Sequence, residues 1–188
     1  LRIIGITGSF GKTSTKHFLY RLLSERYNVL MTPGNFNTTL GVVRTIREHL
    51  KPHHEVFIVE MGAKQRGDIK EICDLVSPEI GIVTSVGEMH LETFGSVESV
   101  ARTKFELIDA LPEGGFGIVN IDSEAAARYI ADNAIKVHSY AVEAAEADYR
   151  AVDIQYGSAE TRFGVAKRDG LDEGYATHIL GRGNLLNI

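Results

Sequence analysis

A glycine-rich segment near the start of the chain has the residue types of a phosphate-binding loop. Its sequence, GITGSFGKTSTK, lies between a β-branched run and an amphipathic stretch, where such a loop connects a strand to a helix. Gly8 and Gly11 allow the backbone to curl so that successive N–H groups face phosphate oxygens. Lys12 would add a charge for the β- and γ-phosphates, and Thr13 a hydroxyl for Mg²⁺. Ile6 breaks the strict glycine spacing of such loops, so a plain glycine turn before a helix is the alternative.

Polar residues also follow the next three apolar runs. The sequence TPGNFNTT covers 32–39, Glu60 ends the run VFIVE, and His90 comes shortly after the fourth run. Ligands of open parallel sheets bind beyond the carboxyl ends of strands, so these groups are expected at one edge with the glycine-rich loop. Glu60 has the position of a metal-holding carboxylate. His90 is either a ligand of a second metal or a hydrogen-bond donor to the transferred phosphoryl group.

Lys104 interrupts an apolar stripe. Val97, Val100, Ala101 and Ile108 recur at three- or four-residue steps, and position 104 falls on the same helical face. An inward lysine must extend its amine to solvent, pair with a carboxylate or change its chemical state, because an isolated buried ammonium is costly.

The pattern of apolar residues predicts an α/β fold, with a mostly parallel, phosphate-loop-type sheet and helices on both faces. Six strands are expected at 2–7, 27–31, 55–60, 79–84, 116–121 and 136–141, and five helices at 12–26, 39–51, 68–76, 97–111 and 123–133. The alternating segments at about 142–182 predict a small antiparallel sheet. We expect residues 1–188 to form a single domain.

Composition restricts the classes of function. Twenty Lys and Arg against 25 Asp and Glu give a net charge of -5, which argues against nucleic acid or an anionic membrane as a partner. Cys73 is the single cysteine, so no internal disulfide forms, which is consistent with the expected cytoplasmic location. We also expect a monomer. The chain opens at Leu1 within a strand-like run, which indicates a piece of a longer protein.

Taken together, these motifs resemble the central ATP-binding domain of the Mur ligases, the ATP-dependent amide-forming enzymes of peptidoglycan precursor synthesis. The resemblance rests on the segments TGSFGKTS, TPGNFNTTLGV, VEMGAKQRGDI, HLETFGS and VARTKFELI. These segments are most similar to the branch that joins a UDP-N-acetylmuramoyl-tripeptide to D-alanyl-D-alanine. Near the end, GRGNLLN is similar to a family segment whose asparagines meet the adenine, but Gly183 replaces the usual histidine.

The resemblance implies roles for individual residues. Lys12, Glu60, His90 and Lys104 would be catalytic, and two Mg²⁺ ions would be held by Thr13, Glu60, His90 and Lys104, with Lys104 carboxylated on its amine. ATP would be bound by Thr7, Gly8, Ser9, Gly11, Lys12, Thr13, Ser14, Asn37, Asn184 and Asn187.

The reaction implied is ATP-driven amide formation. A UDP-N-acetylmuramoyl-peptide carboxylate would take the γ-phosphoryl group, and the amine of D-alanyl-D-alanine would displace phosphate from the acyl phosphate. Domains before and after this chain would bring both substrates, so the chain alone is expected to have little or no ligase turnover. The alternatives are a ligase like folylpolyglutamate or cyanophycin synthetase, a non-catalytic nucleotide-binding module, and a kinase or simple NTPase.

Overall fold

A computed structural model describes residues 1–88, 91–168, 170–179 and 181–188. In these ranges nine strands form one sheet. The strands are β1 (Arg2–Thr7), β2 (Val29–Met31), β3 (Val56–Glu60), β4 (Ile80–Val83), β5 (Phe116–Asn120), β6 (His138–Ala141), β7 (Tyr149–Tyr156), β8 (Thr161–Lys167) and β9 (Gly170–Thr177). The helices are α1 (Lys12–Leu23), α2 (Thr39–His49), α3 (Asp68–Val76), α4 (Leu91–Phe94), α5 (Val97–Asp109), α6 (Glu124–Asn133) and α7 (Arg182–Leu185).

The strands lie in the order β2-β3-β1-β4-β5-β6-β7-β8-β9. All neighbours from β2 to β7 are parallel, and β7, β8 and β9 pair antiparallel. The predicted α/β class with a mostly parallel sheet and antiparallel strands near the C-terminus is confirmed. The structure adds that these antiparallel strands continue the main sheet through the β6–β7 pair.

Side chains of the inner strands point alternately to the two faces of the sheet, and different helices cover each face. Ile4, Ile6, Val56, Ile58 and Ile82 pack on one face with side chains of α1. On the other face, the side chains of β3 at alternate positions pack against α2, α3 and α5. Because side chains on a strand alternate with a period of two, Glu60 belongs to the same face as Val56 and Ile58. The carboxylate that ends β3 is therefore directed towards α1.

The element boundaries differ from the predictions at a few ends. Helix α1 ends at Leu23, not at residue 26, because the next bonds tighten to i→i−3, from the Glu25 N–H to the Leu22 carbonyl oxygen and from the Arg26 N–H to that of Leu23. The second strand accordingly begins at Val29 instead of residue 27. The short helix α4 follows β4 and was not predicted, since four residues are too few for a periodic signal.

Within the part of the chain that the structure describes, no helix combines the length and apolar character needed to cross a bilayer.

Candidate functional site: a phosphate loop beside a buried carboxylate

The glycine-rich loop lies between β1 and α1, at the carboxyl edge of the sheet. Gly8 and Gly11 have positive φ angles of 151° and 84°. A Cβ atom at Gly8 would overlap the Thr84 hydroxyl oxygen, and one at Gly11 would overlap Oδ1 of Asn187. Both glycines are therefore required by backbone conformation and by space.

The loop is fastened to the segment after β4. The N–H of Ser9 donates to the carbonyl oxygen of Ser85 at 2.9 Å, and the N–H of Phe10 donates to Ser85 Oγ at 2.8 Å. We expected successive loop amides to face phosphate, and these two do not. No side chain caps α1, so the N–H groups of its first turn are the open donors. This helix end is the part of the loop suited to an anion.

Lys12 folds back over the loop. Its ammonium donates to the carbonyl oxygen of Gly8 at 2.7 Å and lies 3.4 Å from that of Ser9. Burial lowers the pKa of Lys12, and the Glu60 carboxylate partly offsets that effect. The charged group is thus held above the loop, where it can meet a phosphate oxygen.

Glu60 is the centre of a buried polar cluster, with 2% of its surface exposed. Thr13 Oγ1 lies 3.1 and 3.3 Å from the two carboxylate oxygens, and Asn37 Nδ2 lies 3.1 Å from Oε1. The ammonium of Lys16 lies 2.9 Å from Oε2. The structure therefore brings together three residues that the sequence singled out, together with one that it did not.

Lys16 is the residue that the sequence analysis missed. It is fully buried, and it also donates to the carbonyl oxygen of Gly34 at 2.7 Å. A signal was available, since Lys16 falls on the helical stripe of Leu19, Tyr20 and Leu23, which pack on the sheet. Lys16, like Lys104, thus occupies an apolar position of its helix.

Two clefts meet at this edge of the sheet. A cleft of about 310 Å³ is bordered by the phosphate loop, Ser14, Asn35 and Glu60. A larger cleft of about 560 Å³ extends towards α3 and α5 and is bordered by Lys64, Asp68 and Lys104. Lys12 and Asn37 border both clefts. A ligand in one cleft would thus adjoin a ligand in the other across these two side chains.

Lys104 faces the larger cleft from α5, and the predicted inward orientation is observed. Only 5% of Lys104 is exposed, so its amine does not extend to bulk solvent. Burial lowers the pKa of Lys104 to about 8, and the positive charge of Lys12 adds to this effect. Glu106 and Asp68 raise the pKa by less than burial lowers it. A larger fraction of the amine is therefore neutral near pH 8 than for an ordinary lysine.

The C-terminal asparagines differ in how directly they reach the loop. Asn187 Oδ1 lies against Gly11, and Asn187 Nδ2 donates to the carbonyl oxygen of Gly183 at 2.9 Å. Asn184 belongs to α7, and its carbonyl oxygen accepts from the N–H of Asn187 at 3.0 Å. The segment after β9 thus borders the phosphate loop.

The remaining predicted residues are placed as follows. The Thr7 hydroxyl donates to the carbonyl oxygen of Met61 at 3.0 Å, so its side chain joins the ends of β1 and β3 and does not face the cleft. His90 lies outside the described residues. Among the residues that are described, no group of three or more His, Cys, Asp or Glu side chains is arranged to hold a metal ion.

Another polar contact supports the site from the β5–α6 connection. Ser123 Oγ donates to the carbonyl oxygen of Val86 at 2.7 Å and accepts from the Val86 N–H at 2.9 Å. The next residue, Gly87, donates from its N–H to Ser9 Oγ at 3.0 Å. Ser123 therefore fixes the segment to which the phosphate loop is fastened. Sequence patterns carry no signal for this contact between distant loops.

A mostly parallel sheet, with a glycine loop that leads into an uncapped helix, defines the class of this chain as a phosphate-loop-type α/β domain. The sequence model of the protein family described as Mur ligase middle domain matches residues 6–188. This chain belongs to the Mur ligase family.

The relatives agree with this assignment. UDP-N-acetylmuramoyl-tripeptide--D-alanyl-D-alanine ligase of Bacillus subtilis is 31% identical over 99% of this chain, which covers 39% of that protein. The structure of MurF ligase from Thermotoga maritima in complex with ADP has a TM-score of 0.87 and 31% identity. It covers 99% of this chain, and the match spans 43% of that protein. The chain therefore spans about two fifths of the length of these relatives.

An FPGS–AMPPCP–folate complex is similar in fold alone, with a TM-score of 0.70 and 15% identity. Identity is thus higher towards the D-alanyl-D-alanine ligases than towards this second group of enzymes.

Proposed function

We propose that this chain is the MgATP-binding domain of an ATP-dependent amide-forming ligase of peptidoglycan precursor synthesis. The ligase joins the carboxylate of a UDP-N-acetylmuramoyl-tripeptide to the amine of D-alanyl-D-alanine. The Bacillus subtilis relative is named for these two substrates, and the Thermotoga maritima structure is a complex with ADP. In this proposal other parts of the protein bind the two substrates, because this chain spans about two fifths of those relatives.

One observation carries the proposal. The uncapped start of α1, Lys12 and the buried Glu60 border the same cleft of about 310 Å³. Open N–H groups and a lysine suit the oxygens of a polyphosphate, and the helix dipole favours its negative charge. In this proposal ATP lies in this cleft, with Asn187 and Asn184 on the side of its base. The other loop residues of the nucleotide site are Gly8, Ser9, Gly11 and Ser14.

The donor set around Glu60 fits a hard divalent cation. Thr13 supplies a hydroxyl oxygen and Glu60 a carboxylate oxygen, and Mg²⁺ prefers such ligands together with phosphate oxygens. A magnesium ion held there would neutralise charge on the transferred phosphoryl group. In the proposal Asn37 keeps the carboxylate oriented, since its amide already contacts Oε1.

Lys104 would serve a second cation from the larger cleft. Its ammonium first loses a proton, and the neutral amine can then add to CO₂ and release a second proton, so that a negatively charged carbamate replaces the positive charge. Its lowered pKa of about 8 supports this step, because only the neutral amine has the free electron pair. The carbamate oxygens and His90 would then hold the second Mg²⁺.

In this proposal the two adjoining clefts bring the substrate carboxylate and the γ-phosphoryl group of ATP together. The substrate carboxylate, held in the larger cleft, would meet the γ-phosphoryl group near Lys12 and Asn37, which border both clefts. The resulting acyl phosphate would be attacked by the amine, with loss of phosphate. The contribution of this chain is to position the reactants and to compensate negative charge.

The experiment is an ADP-release assay on the protein that contains this chain, with each substrate omitted in turn. The ligase proposal predicts that ADP release requires both the muramoyl-tripeptide and D-alanyl-D-alanine. Equal ADP release without any amine would instead support a kinase or a simple NTPase. ATP binding without turnover under all conditions would support a non-catalytic module.

A further inference from the structure

Lys16 gives the nucleotide cleft a charge arrangement that the proposed mechanism does not use. Its ammonium is fully buried and lies 2.9 Å from Oε2 of Glu60, whose side chain is 2% exposed. Lys12, which also borders the smaller cleft, is a second cation close enough for Glu60 to influence its pKa. Lys16 thus pairs directly with the carboxylate, and Lys12 interacts with it through its charge.

This arrangement has a consequence for metal ions. The electrostatic energy of a free divalent cation beside a carboxylate depends on the sum of all nearby charges. A lysine close to the carboxylate therefore weakens the attraction. At Glu60 the charge of Lys16 cancels that of the carboxylate, and Lys12 leaves a net positive charge nearby. A polyphosphate would bring the negative charge that is missing. Electrostatics therefore favours a metal ion that arrives with phosphate over one that arrives alone.

Lys16 also fixes geometry. Its ammonium donates to the carbonyl oxygen of Gly34, in the loop that continues to Asn37. Asn37 in turn donates to Oε1 of Glu60, so the carboxylate is held from two sides. Oxygen Oε2 faces Lys16, and Thr13 Oγ1 lies within 3.3 Å of both oxygens. The carboxylate is thus already oriented before any metal binds.

We propose that Lys16 is a positioning residue that makes divalent-metal binding at Glu60 conditional on a bound polyphosphate. This inference rests on the proposed nucleotide site, and it adds an order of binding to it. Lys16 orients the carboxylate and cancels its charge, so the metal site is complete only when phosphate oxygens are present.

The test uses Mn²⁺ as the probe, with nucleotide-free protein and detection of bound Mn²⁺ by electron paramagnetic resonance. Wild type is expected to bind Mn²⁺ weakly. Lys16→Met removes the charge, and we expect Mn²⁺ to bind about tenfold more tightly or better. Lys70→Met is the matched control, because Lys70 pairs with Asp74 on the surface of α3, and its Mn²⁺ affinity should equal that of wild type.

Two further variants keep the test decisive. Lys16→Gln retains a hydrogen-bond donor for Glu60, so it serves if Lys16→Met does not fold. Lys16→Met/Glu60→Gln should lose the gain in Mn²⁺ affinity, because the gain acts through the carboxylate. A purely structural role of Lys16 would lower the melting temperature but would not increase Mn²⁺ affinity.

The proposal is overturned if nucleotide-free wild type binds Mn²⁺ as tightly as the neutral variants do. Equal or weaker binding by a folded Lys16→Met or Lys16→Gln variant would also overturn it. Titration of the same wild-type protein with MgATP separates the two proposals. If MgATP binds and the Mn²⁺ prediction fails, the nucleotide site stands and only the role of Lys16 is rejected.

Discussion

Lys16 and Glu60 form an ion pair with 2.9 Å between Nζ and Oε2, and neither side chain is more than 2% exposed. The pair joins the first helix to the end of a central strand. A buried pair contributes modestly as a whole, but loss of one partner leaves an uncompensated charge. The stability of the domain and the proposed metal site therefore depend on the same two residues.

The first prediction concerns the stability of this pair. Lys16→Met and Glu60→Gln should each lower the free energy of unfolding by about 3–5 kcal/mol, because each leaves the partner without its direct ion-pair counterpart. The double variant Lys16→Met/Glu60→Gln should lose less than the sum of the two single losses. Urea unfolding followed by circular dichroism measures all four proteins. Strict additivity would show that the two residues do not interact.

The second prediction concerns Lys104 and pH. Its pKa is about 8 in the folded chain against 10.5 for an ordinary lysine, so the unfolded chain binds more protons between these values. Stability must therefore rise with pH from about 8 to about 10.5, and below pH 8 the buried ammonium costs about 3 kcal/mol. Lys104→Met removes this contribution.

The measurement is urea unfolding of wild type and Lys104→Met at several pH values in CO₂-free buffer. The stability of wild type relative to the variant should increase as the pH rises from 8 to 10. Lys70→Met serves as the control, because interaction with Asp74 raises the pKa of Lys70 instead of lowering it. A difference between wild type and Lys104→Met that does not change with pH would contradict the assignment of a buried amine.

The third prediction concerns Ser123, which both donates to and accepts from the backbone of Val86. Ser123→Ala removes both hydrogen bonds, and we expect a loss of about 1–3 kcal/mol in the free energy of unfolding. MgATP affinity should also fall, because Gly87, which follows Val86, anchors Ser9 of the phosphate loop. Ser158→Ala is a suitable comparison, since Ser158 is exposed. If both variants behave alike, Ser123 does not support the loop.

The sequence predicted most of the fold because periodicity reports which side of an element is buried. Strand β1 and helix α3 have their predicted boundaries, and Lys104 was identified by its place on the apolar stripe of α5. The alternation of apolar and polar residues along a strand does not show which other strand it pairs with. For that reason the continuity of β7–β9 with the main sheet could not be predicted.

The sequence predicted that several polar side chains lie together at one edge of the sheet, but it did not predict the contacts that hold them there. Thr13, Asn37 and Glu60 meet as expected, because parallel strands end at one edge of the sheet. Lys16 was not predicted, because lysine side chains are mostly exposed and the carboxylate that pairs with it lies far away along the chain. The contacts of Ser85 and Ser123 join loops more than 35 residues apart along the chain, and only the folded structure reveals them.

The central claim is that ATP binds at the phosphate loop through the start of α1 and Lys12. Isothermal titration of the chain with MgATP tests it most directly. We predict that wild type and the surface variant Lys70→Ala bind with the same affinity, and that Lys12→Ala binds about tenfold more weakly or worse, which corresponds to a loss of about 1.4 kcal/mol or more. Equal affinity of Lys12→Ala and wild type, or no binding by wild type, would contradict the account.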